Sequence, residues 1–220
     1  MNSARRVTAV LIFATSAIFM AGLTPSAAYG YYVGQASYSP SEFALAFQRG
    51  GGGARIGNPI NEVHGWGNGC IQDFRGGLSA EAAIMQANCR GPAYFVIYGQ
   101  WRYIVSNWGG AATGVIGYPM NDAYRHGSGW YQDFLGGSWG RTVIARADST
   151  RAEKSVRGNI LSYWLSKGGA IGSFRYPLTD SYPWNGGHRQ EFEGGSIFWS
   201  TSTGSDRKST RLNSSHGYIS

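Results

Sequence analysis

The residues Ile116-Gly117-Tyr118-Pro119, then Asn121-Asp122, then Gln132-Asp133-Phe134-Leu135-Gly136-Gly137 form a block that occurs three times in the chain. The first copy surrounds Pro59 and the third surrounds Pro177, so successive prolines lie 60 and 58 residues apart. In each copy an acidic residue follows the proline by three positions, Gln by thirteen, Phe by fifteen, and Gly-Gly by seventeen and eighteen. A fixed pattern with so long a period predicts one supersecondary unit repeated in tandem.

A short helix is predicted before each proline. Each of these stretches ends at glycine, which accepts the left-handed conformation just past a helix. The predicted helices are residues 42–48, capped by Ser41 and ending at Gly50; residues 98–108, ending at Gly109 and Gly110; and a run capped by Ser155 that reaches Lys167 and ends at Gly168 and Gly169.

After the proline turn, each copy predicts a β-hairpin. The acidic residue three positions past the proline can bind backbone N–H groups and hold the turn. The strand that follows alternates, with Trp130, Gln132 and Phe134 on one face, and Gly-Gly closes the hairpin. One such unit cannot bury its own apolar face. We therefore expect an α+β fold in which three units of short helix, proline turn and β-hairpin are stacked or curled as a partial ring.

The N-terminal residues have the pattern of an export signal. Arg5 and Arg6 precede an uncharged apolar run over residues 7–23, and Ser26 and Ala28 have the spacing of a signal-peptidase site. This pattern predicts a secretory signal peptide that is removed after Ala28, which would leave no membrane span.

The chain therefore divides into six predicted segments. Residues 206–220 resemble translated sequencing-adapter DNA, so the gene is expected to be interrupted near Ser205. The segments are a signal peptide at 1–28, an N-terminal linker at 29–40, repeats at 41–92, 93–152 and 153–205, and the adapter-like tail at 206–220.

The charge of the chain argues against nucleic acid as a partner. The full sequence carries 19 basic and 12 acidic residues, a formal net charge of +7. Residues 29–205 hold 14 basic and 11 acidic residues, a net charge of +3, and the basic residues are scattered rather than clustered. A nucleic-acid site would need a basic patch or stripe.

Cys70 and Cys89 both lie in the first repeat, and the chain has 2 cysteines. In a secreted protein this pair predicts a disulfide that closes a loop of about 20 residues. Two unpaired thiols, or one thiol joined to another chain, are the alternatives.

The repeated block resembles the LGFP repeat family, which is named for a Leu-Gly-Phe-Pro tetrapeptide. The family's hairpin, Gln-x-Phe-x-Gly-Gly-Ser-Ile-Tyr-Trp-Ser, is similar to residues 190–200, and the resemblance covers about residues 41–204. Asn58 and Arg175 depart from the tetrapeptide, and Glu81 and Arg141 stand where the third copy has Trp199. The tetrapeptide corresponds here to Ile56-Gly57-Asn58-Pro59, Ile116-Gly117-Tyr118-Pro119 and Phe174-Arg175-Tyr176-Pro177.

The resemblance implies a secreted or envelope protein of actinobacterial type. LGFP repeats are thought to tether proteins to a cell wall that carries mycolate and arabinogalactan, often beside catalytic domains such as mycolyltransferases or peptidoglycan hydrolases. Arrays of these repeats are described as ring-like arrangements of α+β units. The implied partner is a cell-wall polysaccharide or a mycolate glycolipid, with no cofactor. The oligomeric state is not implied.

Aromatic and polar side chains of the repeats are the candidate glycan contacts. Trp66, Trp130 and Trp184 fall in stretches rich in Gly and Asn, where loops on a rigid scaffold carry function. The Gln and the carboxylate of each Gln-[Asp/Glu]-Phe could bind sugar hydroxyls. We favour a structural role for them, in which Gln bonds the proline turn and Phe fills the core. The candidates are Trp66, Tyr118, Asp122, Trp130, Gln132, Tyr176, Asp180, Trp184, Gln190 and Trp199.

No catalytic or metal site is predicted. Gly136-Gly137-Ser138-Trp139-Gly140 matches a nucleophile-elbow pattern, but it overlies the hairpin glycines rather than a strand-to-helix turn. His64, His126 and His188 lie five, seven and eleven residues after their prolines, so they share no register that would suit a metal site.

These features favour a secreted, non-catalytic protein that binds a cell-wall glycan. The alternative is the N-terminal part of an envelope hydrolase or mycolyltransferase whose catalytic domain lies downstream. A β-trefoil lectin is a third interpretation, but its units would be shorter and nearly all β, which the predicted helices oppose.

Overall fold

The computed structural model describes residues 40–108 and 114–200. The predicted signal peptide, most of the linker, the glycines at 109 and 110, and everything from residue 201 onward lie outside the described residues. The described part is an α+β fold of three antiparallel sheets with short helices.

The helices and strands alternate in groups along the chain. The helices are α1 (Pro40–Arg49), α2 (Gly52–Arg55), α3 (Tyr98–Trp108) and α4 (Gly158–Ser166), and a 3₁₀ turn spans Gly169–Ile171. Sheet 1 contains β1 (Gly57–Pro59), β2 (His64–Trp66), β3 (Gly69–Gly76), β4 (Glu81–Ala87) and β5 (Ala93–Val96). Sheet 2 contains β6 (Gly117–Pro119), β7 (Tyr124–Arg125), β8 (Gly129–Gly136), β9 (Thr142–Ala147) and β10 (Glu153–Arg157). Sheet 3 contains β11 (Tyr182–Trp184), β12 (Gly187–Phe192) and β13 (Gly195–Trp199). None of the described helices is long and apolar enough to cross a membrane.

Sheets 1 and 2 share one topology. The strand order is β1-β3-β4-β5 in sheet 1 and β6-β8-β9-β10 in sheet 2, and β2 and β7 also pair with the central strands β3 and β8. In both sheets the proline of the repeated block lies opposite its phenylalanine, Pro59 against Phe74 and Pro119 against Phe134. Sheet 3 has the order β11-β12-β13, and an isolated bridge pairs Pro177 with the block's third phenylalanine.

Helices and sheets alternate as layers: α1 lies before sheet 1, α3 between sheets 1 and 2, and α4 between sheets 2 and 3. α1 packs on one face of sheet 1 through Phe43, and the other face, including Ile71, packs together with Ile104 of α3 against sheet 2. The far face of sheet 2, including Tyr131, packs together with Trp164 of α4 against sheet 3. The layers thus follow the chain as helix, sheet, helix, sheet, helix, sheet. Within the described residues the three sheets do not close into a ring.

Two positions in the block require glycine because the chain passes very close to the hairpin. Gly57 and Gly117 have φ angles of 100° and 88°, which favour glycine. A Cβ on Gly57 would lie 2.3 Å from the carbonyl oxygen of Arg75, and one on Gly117 would lie 2.2 Å from that of Leu135. Arg175 takes this position in the third copy with φ 56°, and there the paired strand is reduced to a single bridge.

The start of the third helix was predicted wrongly. Ser155 does not cap it, because Ser155 lies in β10 opposite Ile144 of β9, and α4 begins at Gly158. A local capping pattern was overridden by a strand pairing that the local sequence does not reveal. β5 likewise extends sheet 1 by pairing with β4. Sheets 1 and 2 therefore continue past residues 92 and 152, where the repeat spacing predicted the ends of the first two repeats.

The hairpins differ in length, which changes the counterparts of Trp199. In sheet 3, Phe192 pairs with Gly195 across a tight turn, whereas the first two hairpins have longer loops. Trp199 lies opposite His188. By register, its counterparts are Gln86 in sheet 1 and Arg146 in sheet 2, rather than Glu81 and Arg141.

Cys70 and Cys89 form a disulfide, with their Cα atoms 4.9 Å apart. Both residues are buried in the core cluster between α1 and sheet 1. The bond joins β3 to the turn that follows β4, so it fixes the connection to β5.

Candidate functional site

The glutamines of the second and third blocks are buried and join one unit to the unit before it. We call each helix with the sheet that follows it a unit, so that units 1, 2 and 3 contain sheets 1, 2 and 3. Nε2 of Gln132 donates to a carbonyl of its own proline turn at 2.8 Å and to Phe95 O of β5 at 3.0 Å. Nε2 of Gln190 donates to its own turn at 2.8 Å and to Ser155 O of β10 at 2.7 Å. The favoured structural role is confirmed, and burial removes both amides from the candidate glycan contacts.

The tyrosines of the tetrapeptides are also buried between units. The hydroxyls of Tyr118 and Tyr176 donate to the carbonyls of Trp66 and His126 in the preceding sheet. The Tyr176 ring packs on Gly129, where a Cβ would come within 2.7 Å of the ring. Burial raises the pKa of each tyrosine to about 12. As glycan contacts these two predictions are wrong, because the side chains are 3% and 1% exposed.

The acidic residues after the prolines bind the preceding sheet rather than their own turn. Oδ1 of Asp122 accepts the Phe95 N–H at 3.0 Å, and its Oδ2 accepts from Arg49 Nε at 2.6 Å. Oδ1 of Asp180 accepts the N–H of Ser155 at 2.8 Å and its hydroxyl at 2.9 Å. The turns are held instead by the Asn or Thr side chain that precedes each acidic residue. The predicted role within the turn was therefore wrong, and both carboxylates are engaged by protein groups.

All three tryptophans predicted in loops lie in strands, and the rings of two of them contact side chains of neighbouring elements. Trp66 of β2 meets Trp101 of α3 edge-on at 5.3 Å between ring centres. Trp130 of β8 packs against the core of unit 1 and lies between Arg55 and Arg125, at 5.1 Å and 5.6 Å from its ring centre. Both indoles are thus partly buried, and neighbouring side chains contact their rings.

Trp184 lies on the outer face of sheet 3, away from α4. It contacts the Phe198 ring at 5.3 Å, and the guanidinium of Arg189 lies 4.9 Å from its ring centre. Arg189 in turn forms an ion pair with Glu191 at 2.6 Å. Trp184 remains half-buried, so this face keeps one candidate contact.

Trp199 borders a cleft of about 360 Å³ at the junction of units 2 and 3. The hairpin loop of sheet 2, the first turn of α4 and two strands of sheet 3 enclose it. Indole rings and polar side chains with hydrogen-bonding groups meet there. The lining residues are Trp139, Arg157, Gly158, Asn159, Ile160, Ser181, His188 and Trp199.

The cleft exists because the residues at the junction of units 2 and 3 differ from those at the equivalent positions of the junction of units 1 and 2. At the junction of units 1 and 2, the equivalent space is occupied by the large Trp130 ring, packed against the core of unit 1. In unit 3 this position holds the smaller His188, which is exposed. Four residues at the junction of units 1 and 2 correspond to residues that line the cleft. Ser79 corresponds to Trp139, Ile97 to Arg157, Trp130 to His188, and Arg146 to Trp199.

Arg157 gives the cleft its charge. Its guanidinium carbon lies 3.2 Å from the centre of the Trp139 ring. Burial lowers the pKa of Arg157, and Asp180 acts in the opposite direction from a longer distance. Among the described residues no carboxylate lies within 4.0 Å of this guanidinium. A guanidinium stacked on a ring keeps its N–H donors in its own plane, where a ligand can reach them.

A second cleft, of about 310 Å³, borders α3 in unit 2. Arg146 and Glu153 form an ion pair across it at 3.3 Å. The aromatic residue in its wall is Tyr103, whose hydroxyl donates to Asp180. Among the described residues no indole ring lines this cleft, so it suits a sugar less well than the first.

Sequence reasoning identified Trp199 but missed the other residues of the cleft. Trp139 carried a usable signal, because a bulky aromatic stands where the first copy has Ser79. Nothing in the sequence predicted a place for His188 in a glycan site. Ser138 lies in the hairpin between β8 and β9, which agrees with the rejection of the nucleophile-elbow pattern.

Comparison with known proteins identifies the repeated block. A family model described as LGFP repeat matches residues 116–172 and 176–208. No curated protein matches the chain. The matched segments contain the second copy of the block, the third copy from Tyr176 onward, and all the residues that line the larger cleft. Residues 116–172 and 176–208 of this chain are therefore similar to the LGFP repeat family.

Proposed function

We propose that this protein is secreted and binds a cell-wall glycan, without catalysis, in the cleft between units 2 and 3. The glycan is a cell-wall polysaccharide or the sugar portion of a mycolate glycolipid. One observation carries the proposal: two tryptophans and four polar side chains line one cleft, although the repeat does not require them there. Small-ligand sites combine apolar rings with a few polar groups that fix orientation.

The chemistry of the cleft suits a pyranose ring. An indole face can cover the apolar C–H side of a sugar, while the sugar hydroxyls need donors and acceptors at the edge of the ring. Trp199 is the candidate for this contact, because Arg157 already lies over the Trp139 ring. Asn159 and Ser181 supply both donors and acceptors, and Arg157 supplies donors. Asn159 is exposed at the start of α4, so its side chain can reach a ligand without unfolding the helix.

A sedimentation assay with purified cell wall from a mycolate-bearing actinobacterium tests the proposal. The protein should pellet with the wall. Trp199→Ala and Asn159→Ala should leave most of the protein in the supernatant, with near-ultraviolet circular dichroism showing that the fold is kept. Trp184→Ala is the matched control, because it removes an indole from the outer face of sheet 3 and should pellet like the parent.

Three results would count against the proposal in different ways. If the parent protein stays in the supernatant, binding to the wall is refuted. If the parent pellets and both cleft variants pellet equally well, the cleft is not the site. Loss of binding in Trp184→Ala alone would move the site to the outer face of sheet 3.

Export is a separate part of the proposal and has its own measurement. The basic start, apolar run and small residues before position 29 support cleavage after Ala28. N-terminal sequencing of protein recovered from the culture supernatant or envelope fraction should begin at Tyr29. A product that keeps Met1 and stays in the cytoplasm would refute export.

A further inference from the structure

We propose that the glycan bound in the cleft is acidic, and that Arg157 pairs with its carboxylate or phosphate group. This inference rests on the proposed function and adds the chemical class of the ligand. The fold does not require the positive charge of Arg157 at this position. Ile97 occupies the corresponding position after β5, is 8% exposed and belongs to the core of unit 1. An apolar side chain is therefore sufficient for this junction.

Placing a guanidinium at this position has a cost. Burial disfavours the charged form, as the lowered pKa of Arg157 reflects. Two of the other partly buried arginines of the described residues are paired, Arg146 with Glu153 at 3.3 Å and Arg189 with Glu191 at 2.6 Å. A third, Arg55, lies over the rings of Phe95 and Trp130. Arg157 has no such partner among the described residues, so its desolvation is not offset by an ion pair within the protein.

The carboxylate that influences Arg157 most directly is already engaged. Oδ1 of Asp180 accepts from the N–H and the hydroxyl of Ser155 and from the hydroxyl of Tyr103. Its Oδ2 faces Lys154 at 3.9 Å. Asp180 therefore holds units 2 and 3 together and leaves the guanidinium without a direct partner.

The surroundings of Arg157 present it to a ligand. The Trp139 ring supports the guanidinium from one side, and His188, which is exposed, lines the same cleft. None of the described residues that line the cleft is acidic. A ligand that stacks on an indole and carries an anionic group would thus meet an aromatic surface and an unpaired cation together. Arginine binds carboxylate and phosphate groups through two parallel N–H donors.

Binding measurements with matched charged and neutral polysaccharides test this inference. Polygalacturonate and its fully methyl-esterified form share one backbone, and phosphomannan and dephosphorylated mannan share another. The parent should bind at least one charged member roughly 10- to 100-fold more tightly than its neutral partner, the range expected for a hydrogen-bonded ion pair. Preference within the first pair identifies a carboxylate, and preference within the second identifies a phosphate.

Arg157→Ile gives the junction of units 2 and 3 the residue type that Ile97 supplies at the junction of units 1 and 2. The fold should therefore be kept, and thermal stability should not fall. This variant should lose the preference for the charged polysaccharide, and Arg157→Lys should keep part of it. Arg90→Ile is the matched control, because Arg90 is exposed in unit 1 and its loss changes the net charge equally.

The outcomes separate this inference from the proposed function. If the parent pellets with cell wall but shows no preference within either pair, or if Arg157→Ile keeps the preference, the acidic ligand is refuted and wall binding stands. If Arg90→Ile loses the preference as fully as Arg157→Ile, net charge explains it and the site is refuted. If the parent binds neither wall nor polysaccharide, the proposed function itself fails.

Discussion

Replacing Gln132 by Leu tests the buried amide that joins sheet 1 to sheet 2. Gln132 is 0% exposed, and its Nε2 donates to two carbonyl oxygens at 2.8 Å and 3.0 Å. Leu has a similar volume but no donor, so both carbonyls would lose a partner where water cannot replace it. At about 1–3 kcal/mol for each unsatisfied buried group, this loss amounts to about 2–6 kcal/mol.

One term acts in the opposite direction. Among the described residues, Oε1 of Gln132 is buried without a hydrogen-bond donor, and Leu removes this unsatisfied acceptor as well. The relief is worth about 1–3 kcal/mol by the same rule. The free energy of unfolding should therefore fall by about 1–3 kcal/mol. Gln190→Leu should lower the free energy of unfolding by a similar amount. Nε2 of Gln190 also donates to two carbonyl oxygens, and among the described residues its Oε1 is also buried without a donor.

Urea denaturation followed by tryptophan fluorescence measures this loss. The midpoint should move to lower urea at an unchanged slope, since the surface exposed on unfolding is nearly the same. Gln48→Leu is the matched control, because Gln48 is exposed on α1 and its replacement should change stability by less than about 0.5 kcal/mol. If Gln132→Leu is no less stable than Gln48→Leu, the amide does not hold the two sheets together and the reasoning is refuted.

Three further predictions concern the joints and the disulfide. Gly129→Ala should lower the stability by about 1–3 kcal/mol in a thermal melt, because its Cβ would lie 2.1 Å from a carbonyl oxygen and 2.7 Å from the Tyr176 ring; an unchanged melting temperature contradicts this. Reduction of Cys70–Cys89 should cost about 3 kcal/mol, measured by urea denaturation with and without dithiothreitol; overlapping curves would show that the bond adds nothing. Because burial raises the pKa of Tyr118 and Tyr176 from 10.0 to about 12, folding favours their neutral forms. The stability from this source is full below pH 10 and lost as the pH rises to about 12, so the urea midpoint should fall over that range. A Tyr118→Phe, Tyr176→Phe double variant should show a flatter dependence on pH, and an equal slope in both proteins would disprove the assignment.

The parts of the fold that the sequence predicted well are those fixed by local chemistry. The helix at residues 98–108 matches α3 at both ends, and Phe134 is buried opposite Pro119. Glycine beyond a helix and alternation along a strand act over a few residues, so they can be recognised in one copy and checked in the others.

The parts that were missed depend on contacts between units. β10 forms because Glu153–Arg157 pairs with β9, a partner that its own sequence does not specify. Asp122 and Asp180 were assigned to their own turns, since nothing near them in the sequence points to the strand of the preceding sheet. The candidate site was found only through Trp199, because the cleft arises from departures at several separate positions rather than from a motif.

Each joint between units includes three hydrogen bonds to main-chain atoms of the preceding unit, beside the side-chain bonds that its carboxylate makes. Tyr118, Asp122 and Gln132 bind the carbonyl of Trp66 and the N–H and carbonyl of Phe95. The corresponding residues of unit 3 bind main-chain atoms of His126 and Ser155. Every strand offers such atoms whatever its side chains, so for these bonds the preceding unit needs only a glycine under the tyrosine ring. Copies could therefore be duplicated, exchanged or reordered by recombination with matching changes confined to the side chains that bind the carboxylate of the next unit. The side chains at a junction, such as those around Arg157, would then be free to diverge and give each junction its own ligand.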